Sequence, residues 1–255
     1  DAFGDADLIV GADGVNSLVR NTHARQFGTT LTWGSNKFIW YGVEQAYLTL
    51  TQTFRETVAG AMTVHHYRYE AGRSTFLVEV DASTWARSGF ARMNDAQSRE
   101  VCERIFAPEL DGCRLLGNKS EWRNFPKLCN ERWWVDNKVL LGDALHTAHF
   151  SIGSGTRLAM EDAIALVKSI EQHPDNLREA LSAYEAVRRP IVEKLVAAAD
   201  TSLHWYENMA AHMQRSPLDF THSYITRSGR LDDERLGKMS PRFMAAYLAH
   251  RQTPS

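Results

Sequence analysis

The stretch that decides the fold covers residues 139–166 and reads Val139-Leu-Leu-Gly-Asp-Ala-Leu-His-Thr-Ala-His-Phe-Ser-Ile-Gly-Ser-Gly-Thr-Arg-Leu-Ala-Met-Glu-Asp-Ala-Ile-Ala-Leu166. Its apolar start predicts a buried strand over 138–141 that ends at Gly142-Asp143, and the apolar repeat from Thr156 predicts a long helix opened by Gly153-Ser-Gly155. A carboxylate at a strand end can accept hydrogen bonds from hydroxyl groups. The free N–H groups of a helix start suit a phosphate or an electron-rich ring. The stretch therefore predicts a ligand site built from a strand, a loop and a helix.

A second strand, turn and helix is predicted over residues 6–20, which include Asp7-Leu-Ile-Val-Gly-Ala-Asp-Gly-Val-Asn-Ser-Leu-Val-Arg20. Two interpretations stay open. Asp13-Gly14 forms a simple turn after a strand, or its glycine lets the backbone approach a dinucleotide. Asn16 and Ser17 offer short hydrogen-bonding groups at the helix start. Arg20, one turn later, can brace the loop or an anion.

The region between these stretches predicts a sheet. Four short segments rich in β-branched and aromatic residues, separated by turn residues, predict an antiparallel meander: Phe38–Tyr41, Thr49–Phe54, Met62–Tyr67 and Thr75–Val80. A helix is expected over 95–107. A longer helical pattern over 176–212 contains Pro190, which we expect to kink or divide the helix. The pattern as a whole predicts a mixed α/β (α+β) fold.

Composition limits the classes of function. The 255 residues include 29 basic and 31 acidic side chains, so the net charge of −2 offers no basic field to nucleic acid. Three cysteines without a Cys-x-x-Cys pair argue against a disulfide framework or a zinc site, and favour a cytoplasmic protein. No apolar run approaches the ~20 residues of a membrane helix. His146 and His149 have the spacing of two ligands but lack a third, so we expect no metal site.

Asp13 and Asp143 lie 130 positions apart, and their two stretches together resemble the downstream fingerprints of the group A flavoprotein monooxygenases, the p-hydroxybenzoate hydroxylase-like family. The resemblance covers nearly the whole chain. It implies a partial Rossmann-like FAD-binding domain, an inserted antiparallel-sheet substrate domain and long C-terminal helices. The implied domains are FAD-binding parts at 1–30 and 128–212, a substrate domain at 31–127 and a helical tail at 213–255. The residues implied to hold FAD are Asp13, Gly14, Arg20, Gly142, Asp143, Gly153, Ser154, Gly155 and Thr156.

One departure points to a subgroup, since His149-Phe150-Ser151 replaces the proline that is usual between the Gly-Asp and the Gly-x-Gly. With this replacement, four further stretches resemble the aryl-CoA hydroxylases, that is salicylyl-CoA 5-hydroxylase and 2-aminobenzoyl-CoA (anthraniloyl-CoA) monooxygenase: residues 36–42, 74–79, 122–126 and 216–230. The resemblance implies that NAD(P)H, O2 and a flavin hydroperoxide hydroxylate an aromatic ring carried as a CoA thioester. We expect His149 to be catalytic, and Phe150 and Trp40 to contact the substrate.

Two alternatives remain at this point: a tryptophan-type or phenolic-acid flavin hydroxylase, and a non-catalytic FAD-binding fragment. The family's N-terminal Gly-x-Gly-x-x-Gly has no counterpart here, because the chain opens on Asp1 and reaches the predicted strand at Leu8. We therefore expect an upstream segment in the intact protein, and no activity from residues 1–255 alone. The resemblance also allows a fused C-terminal reductase domain and a homo-oligomer.

Overall fold

The computed structural model describes residues 5–117 and 119–252. Residues 1–4 and 253–255, at the ends of the expected first and last domains, lie outside this description. The chain divides into two compact units. Unit 1 takes in the described residues of Asp1–Trp33, Pro126–His204 and Ile225–Pro241, and unit 2 takes in those of Gly34–Phe125, Trp205–Tyr224 and Arg242–Ser255.

Strands and helices both contribute substantially, which confirms the mixed α/β class. The strands are β1 (Ile9–Gly11), β2 (Thr29–Val43), β3 (Thr51–Thr57), β4 (Gly60–Glu70), β5 (Arg73–Val80), β6 (Leu115–Leu116), β7 (Arg123–Asn130), β8 (Trp134–Val135) and β9 (Lys138–Leu140). The helices are α1 (Leu18–Thr22), α2 (Ala24–Phe27), α3 (Ala82–Ser88), α4 (Asp95–Ile105), α5 (Ala107–Leu110), α6 (Gly155–Gln172), α7 (Leu177–Glu207), α8 (Met209–Met213), α9 (Pro217–Thr226), α10 (Asp233–Met239) and α11 (Pro241–Gln252).

The small sheet of unit 1 has the order β1-β9-β8. β1 and β9 run parallel, with Val10 opposite Val139 and Gly11 opposite Leu140. Val139 and Leu140 are fully buried and pack with apolar residues of α6 and α7. The predicted strand over 138–141 and the helix opened by Gly155 are both confirmed.

The larger sheet, in unit 2, differs from the expected meander. β3, β4 and β5 follow one another in antiparallel order, but β2 pairs with β5 at the far end of this series. The meander therefore holds only for the last three strands. Residues on one face of β2, β4 and β5 are buried together with Cys102 and Phe106 of the α4 region, so the reordered sheet covers a single core.

The expectation that Pro190 divides the second long helix is wrong. α7 is 31 residues long and continues through Pro190. Proline removes one hydrogen bond to the carbonyl four residues earlier, but Pro190 and Ala186 are both exposed, so water can solvate that carbonyl. Tyr184 and Val192 are buried in the same core on either side of the proline, and this packing outweighs the lost hydrogen bond.

Among the described residues, no helix combines the length and apolar character needed to cross a membrane. In the same residues, no group of three or more His, Cys, Asp or Glu side chains is arranged to hold a metal ion.

Candidate functional site

The two sequence motifs meet at one edge of the small sheet. Because β1 and β9 are parallel, the loops that follow Gly11 and Leu140 leave the sheet on the same side. Glycine is favoured at position 11, since a Cβ there would lie 2.6 Å from Leu140 Cδ2 and 3.1 Å from Val19 Cβ, and these side chains would have to shift. The structure thus brings Asp13 and Asp143 to the same edge of one sheet.

Arg20 ties the two loops together. Its side chain is 2% exposed, and its Nη1 donates to the carbonyl of Ala144 at 3.0 Å. Nη2 donates to the Val15 carbonyl at 2.6 Å and to Asn21 at 2.8 Å. Burial lowers the pKa of this guanidinium, against the opposing effect of Asp13. Of the two roles open from the sequence, these contacts are those of a brace between the loops.

The Asp13 loop is held by the start of α1. Although partial burial acts to raise the pKa of Asp13, hydrogen bonds from Ser17 and from the Leu18 backbone lower it below its usual value. The Leu18 N–H donates to Asp13 Oδ2 at 2.6 Å. Gly14 has a φ of 78°, and a Cβ built there would meet nothing within 4 Å. The loop therefore presents an exposed, ionised carboxylate beside open space.

Asp143 lies in a short 3-10 turn, Gly142–Ala144, directly after β9. Gly142 has a φ of 57°, and a Cβ there would lie 2.9 Å from Ala159 Cβ, so the turn can pack on α6 only with glycine at this position. The Asp143 carboxylate is exposed. Removal of part of this group from water raises its pKa, while His146 acts in the opposite direction. Within residues 5–117 and 119–252 this carboxylate accepts no hydrogen bond.

A buried ionic cluster supports this turn, and sequence reasoning missed it. Asp162 on α6 is fully buried. Its Oδ2 accepts from the Gly142 N–H at 3.1 Å and from His146 Nε2 at 2.8 Å, and its Oδ1 accepts from Arg188 Nε at 2.9 Å. The signal was available in the sequence, because Asp162 falls on the apolar stripe of Leu158 and Leu166, where a charged residue needs partners.

The start of α6 is open. Gly153 has a φ of 60°, and neither Gly153 nor Gly155 has any atom within 4 Å of a built Cβ. No side chain caps the helix: Ser154 is the N-cap residue, and its hydroxyl donates to the Ile152 carbonyl at 3.3 Å. The first intrahelical bond comes from the Leu158 N–H to the Ser154 carbonyl, so the earlier N–H groups, including that of Thr156, precede the hydrogen-bonded ladder.

His149 and Phe150 lie in the loop before this helix. The His149 ring is 2% exposed and lies 4.1 Å from the Phe150 ring, centroid to centroid. Its Nδ1 hydrogen-bonds with Ser151 Oγ at 2.8 Å. Ser151 is held in turn by Ser202 at 2.7 Å, and its carbonyl accepts from Arg227 Nη2 at 2.8 Å. The loop is therefore fixed on both sides of its imidazole.

Trp40, the remaining predicted residue, belongs to unit 2. It lies on β2 with its ring partly exposed, and its Nε1 donates to Thr75 Oγ1 at 2.7 Å. Trp122, in the stretch 122–126 that carries part of the resemblance, packs on Phe90 at 4.5 Å beside the core of unit 2.

The unit 1 arrangement fits a flavin dinucleotide on three observations of this structure. There is open space beside Gly14, Gly153 and Gly155. The start of α6 has no side-chain cap, and helix starts of this kind bind anions and electron-rich groups. The Asp143 carboxylate is exposed at a strand end, where hydroxyl donors can reach it. These features together provide acceptors for sugar-type hydroxyls and donors for negative charge.

Comparison with known proteins agrees with this fit. Residues 5–199 match the sequence family described as an FAD binding domain. The chain is 39% identical over 234 residues to the salicyloyl-CoA 5-hydroxylase of a Streptomyces species, covering 88% of this chain and 45% of that protein. It is 40% identical over 230 residues to the 3-hydroxy-4-methyl-anthranilyl-(aryl-carrier protein) 5-monooxygenase of Streptosporangium sibiricum, covering 90% of this chain and 61% of that protein. The chain thus spans about half the length of the curated relatives it matches.

The backbone also resembles a solved structure, that of a probable FAD-dependent monooxygenase from Pseudomonas aeruginosa. The TM-score is 0.60 at 22% identity, over 86% of this chain and 59% of that one. At this identity the likeness shows the fold alone. The family match and the relatives confirm the resemblance inferred from the two aspartate motifs. The chain belongs to the FAD-binding domain family of the FAD-dependent aromatic monooxygenases.

Proposed function

We propose that the protein is an FAD-dependent monooxygenase that hydroxylates an aromatic ring carried as a thioester, with NAD(P)H as the reductant. The observation that carries this proposal is the pairing of Asp143, a carboxylate without a hydrogen-bond donor among the described residues, with the open start of α6. A ligand with both hydroxyl groups and an electron-rich ring would satisfy the two features at once.

Asp143 would hold the hydroxyls of the ribityl chain of FAD, and the backbone around Gly153, Ser154, Gly155 and Thr156 would face its ring. Asp13 and Gly14 would border the cofactor from the other loop. When bound, FAD supplies the oxygen chemistry, which protein side chains alone do not provide. The protein must bind and orient the two reactants and exclude water from them.

The chain's own residues have separate tasks in this proposal. Arg20 and Asp162 hold the loop backbones in place through the hydrogen bonds to Ala144 and Gly142. His149 would hold or move a proton at its imidazole, because Ser151 fixes the ring by a hydrogen bond to Nδ1. Phe150 would contact the aromatic ring of the substrate. Trp40 would contact the substrate as well.

The names of two relatives support the proposed substrate class. One is named for salicyloyl-CoA and the other for a substituted anthranilyl group on an aryl-carrier protein. We propose an aminobenzoyl or salicylyl thioester for this protein. We also propose a cytosolic location, consistent with three free cysteines. A fused reductase domain and a homo-oligomer stay predictions.

The test uses the protein as encoded, with any sequence that flanks residues 1–255. We expect the purified protein to show a flavin absorbance spectrum, and NAD(P)H oxidation to be coupled to hydroxylation of aminobenzoyl-CoA or salicylyl-CoA. Free acids should support little turnover. Flavin binding without turnover of any aromatic compound would favour a non-catalytic FAD-binding protein, and turnover of free acids or tryptophan would contradict the thioester assignment alone.

A single variant separates the catalytic role of His149 from a packing role. We expect His149→Ala to keep the flavin spectrum and lose at least ~100-fold in hydroxylation, the usual contribution of a general acid or base. The matched control is His173→Ala, a partly exposed histidine beyond the end of α6. Normal hydroxylation by His149→Ala would make that residue architectural.

A further inference from the structure

Unit 2 contains a surface cavity of about 720 Å³, and of its lining the proposed function uses only Trp40, as a substrate contact. It lies over β2 and β5, on the side to which Trp40 points, and it extends to the end of β4 and to the segment before β7. Its volume is within the range of sites that bind small molecules and cofactors. Its lining combines aromatic rings with positive charge.

Two aromatic side chains of this cavity are unusually open to solvent. Trp40 is 44% exposed in the middle of a strand, and Tyr69 is 57% exposed near the end of β4. Trp40 is nevertheless held firmly. Its Nε1 donates to Thr75 Oγ1 at 2.7 Å, and its carbonyl accepts a hydrogen bond from Ser120. A fixed, exposed indole offers a flat face on which a planar ring can stack.

Positive side chains surround these rings. Arg73, Lys119 and Arg123 line the cavity, and Glu121 is its one acidic residue among those the structure describes. The chain as a whole has a net charge of −2, whereas three of the four charged residues that line the cavity are basic. Arg123 pairs with Glu121 at 3.2 Å.

Arg73 likewise forms ion pairs only with exposed acidic side chains. It pairs with Glu70 at 3.3 Å and with Glu44 at 3.6 Å. All the members of these pairs are half-exposed or more. Pairs of this kind contribute little stability. The guanidinium groups of Arg73 and Arg123 can therefore exchange these partners for an anionic ligand at small cost in free energy. Guanidinium groups bind phosphate through two parallel hydrogen bonds.

We propose that this cavity binds a phosphorylated adenosine, with the adenine stacked on Trp40 and the phosphates held by Arg73, Lys119 and Arg123. Both CoA thioesters and NADPH carry this chemical group. The choice of CoA and NADPH as the two sources of this group rests on the proposed function. The binding of a phosphorylated adenosine does not rest on it, because that inference uses only the aromatic rings and charged side chains of unit 2.

The experiment measures equilibrium binding of three probes to the protein by calorimetry: CoA, NADPH and pantetheine, which lacks the nucleotide. We expect CoA or NADPH to bind and pantetheine not to bind. Binding should weaken as salt is raised, because phosphate contacts are screened. Trp40→Ala and the double variant Arg73→Gln/Arg123→Gln should each weaken binding at least about tenfold, and Trp40→Phe should restore part of the loss because it keeps a stacking ring.

The matched control is Arg68→Gln, an exposed arginine on β4 that does not line the cavity, and its binding should stay within about twofold of the wild type. If Trp40→Ala does not fold, the double variant Arg73→Gln/Arg123→Gln tests the inference. Both arginines are at least half-exposed, so their replacement should leave the fold intact. The inference is overturned if neither nucleotide binds, or if the cavity variants bind as the wild type does. Flavin content is measured separately, so a protein without flavin that binds nucleotide would contradict only the proposed function.

Discussion

Asp162 in unit 1 and Glu79 in unit 2 are both buried acidic side chains, and their surroundings differ. Asp162 accepts hydrogen bonds from Gly142, His146 and Arg188. Glu79 is 2% exposed and accepts one hydrogen bond, from Asn36 Nδ2 at 2.8 Å. Burial raises the pKa of Glu79 to about 7, the Asn36 hydrogen bond opposes this, and the charge of Glu207 adds to it.

The difference shows that the number and charge of the donors decide what a buried carboxyl group can do. With a guanidinium and two further donors, Asp162 serves as a fixed ionic anchor for the Gly142 turn. With one neutral donor, Glu79 takes up a proton near neutral pH. The first group therefore holds the Gly142 turn through its hydrogen bonds, and the second makes the stability of its sheet depend on pH.

The largest expected effect comes from removing the anchor. Asp162→Ala leaves the Arg188 charge buried and the Gly142 N–H without its acceptor, so the free energy of unfolding should fall by about 3–5 kcal/mol. Denaturant unfolding measures this loss. The control is Glu161→Gln, which changes a partly exposed partner of the same arginine and should cost about 1 kcal/mol or less. Equal losses in the two variants would mean that Asp162 is not the anchor.

The next effect concerns Glu79 and is a change with pH. Its pKa is about 7 in the folded protein, against 4.5 for the unfolded group, so the folded state holds the proton more tightly. The contribution of Glu79 to the stability of the protein is therefore greatest below pH 4.5 and is lost as pH rises towards 7, by about 3 kcal/mol at most. Glu79→Gln keeps an acceptor for Asn36 and cannot ionise.

We expect this variant to match the wild type near pH 4.5 and to exceed it above pH 7 in unfolding experiments. Because other groups titrate as well, the quantity to compare is the difference between the two proteins at each pH. A difference that stays constant from pH 4.5 to 8 would contradict the raised pKa of Glu79.

The smallest effect concerns ligand affinity at the site that the Asp162 anchor supports. Asp143→Ala in the protein as encoded should weaken FAD binding by about 1–3 kcal/mol, the cost of leaving buried hydroxyl groups without an acceptor. The fold should survive, because Asp143 is exposed and packs against no core. Asp143→Asn, which keeps a neutral acceptor, should lose less. Flavin fluorescence titration measures both affinities, and unchanged affinity in Asp143→Ala would rule out its proposed role.

The elements that the sequence predicted well are those indicated by local sequence patterns. The strand over 138–140 and the helix from Gly155 are marked by apolar periodicity and by glycines, and both signals act within a few residues. The position of Asp143 near the Asp13 loop depends on similar signals. Each aspartate follows an apolar strand, and a parallel pair of strands places both loops at one edge of the sheet.

The parts that could not be predicted depend on distant partners. Nothing within β2 shows that it pairs with β5 and not with β3, because the pairing joins segments that are distant in sequence. Pro190 stays in its helix because Tyr184 and Val192 pack into one core, which no helix propensity records. The three donors of Asp162 come from a turn, a loop and a second helix, so only its place on an apolar stripe could have indicated them.

The parallel pairing of β1 with β9 also has a consequence for folding on the ribosome. Ile9 lies opposite Lys138, so the chain must grow by 129 residues after β1 before that partner exists. At typical synthesis rates of 5–20 residues per second, β1 waits for roughly 6–26 s without this neighbour. The contacts within unit 2 are closer in sequence and can form during that interval. The pairing that brings the aspartate loops together therefore forms late, and an apolar strand waiting that long is a natural substrate for chaperones.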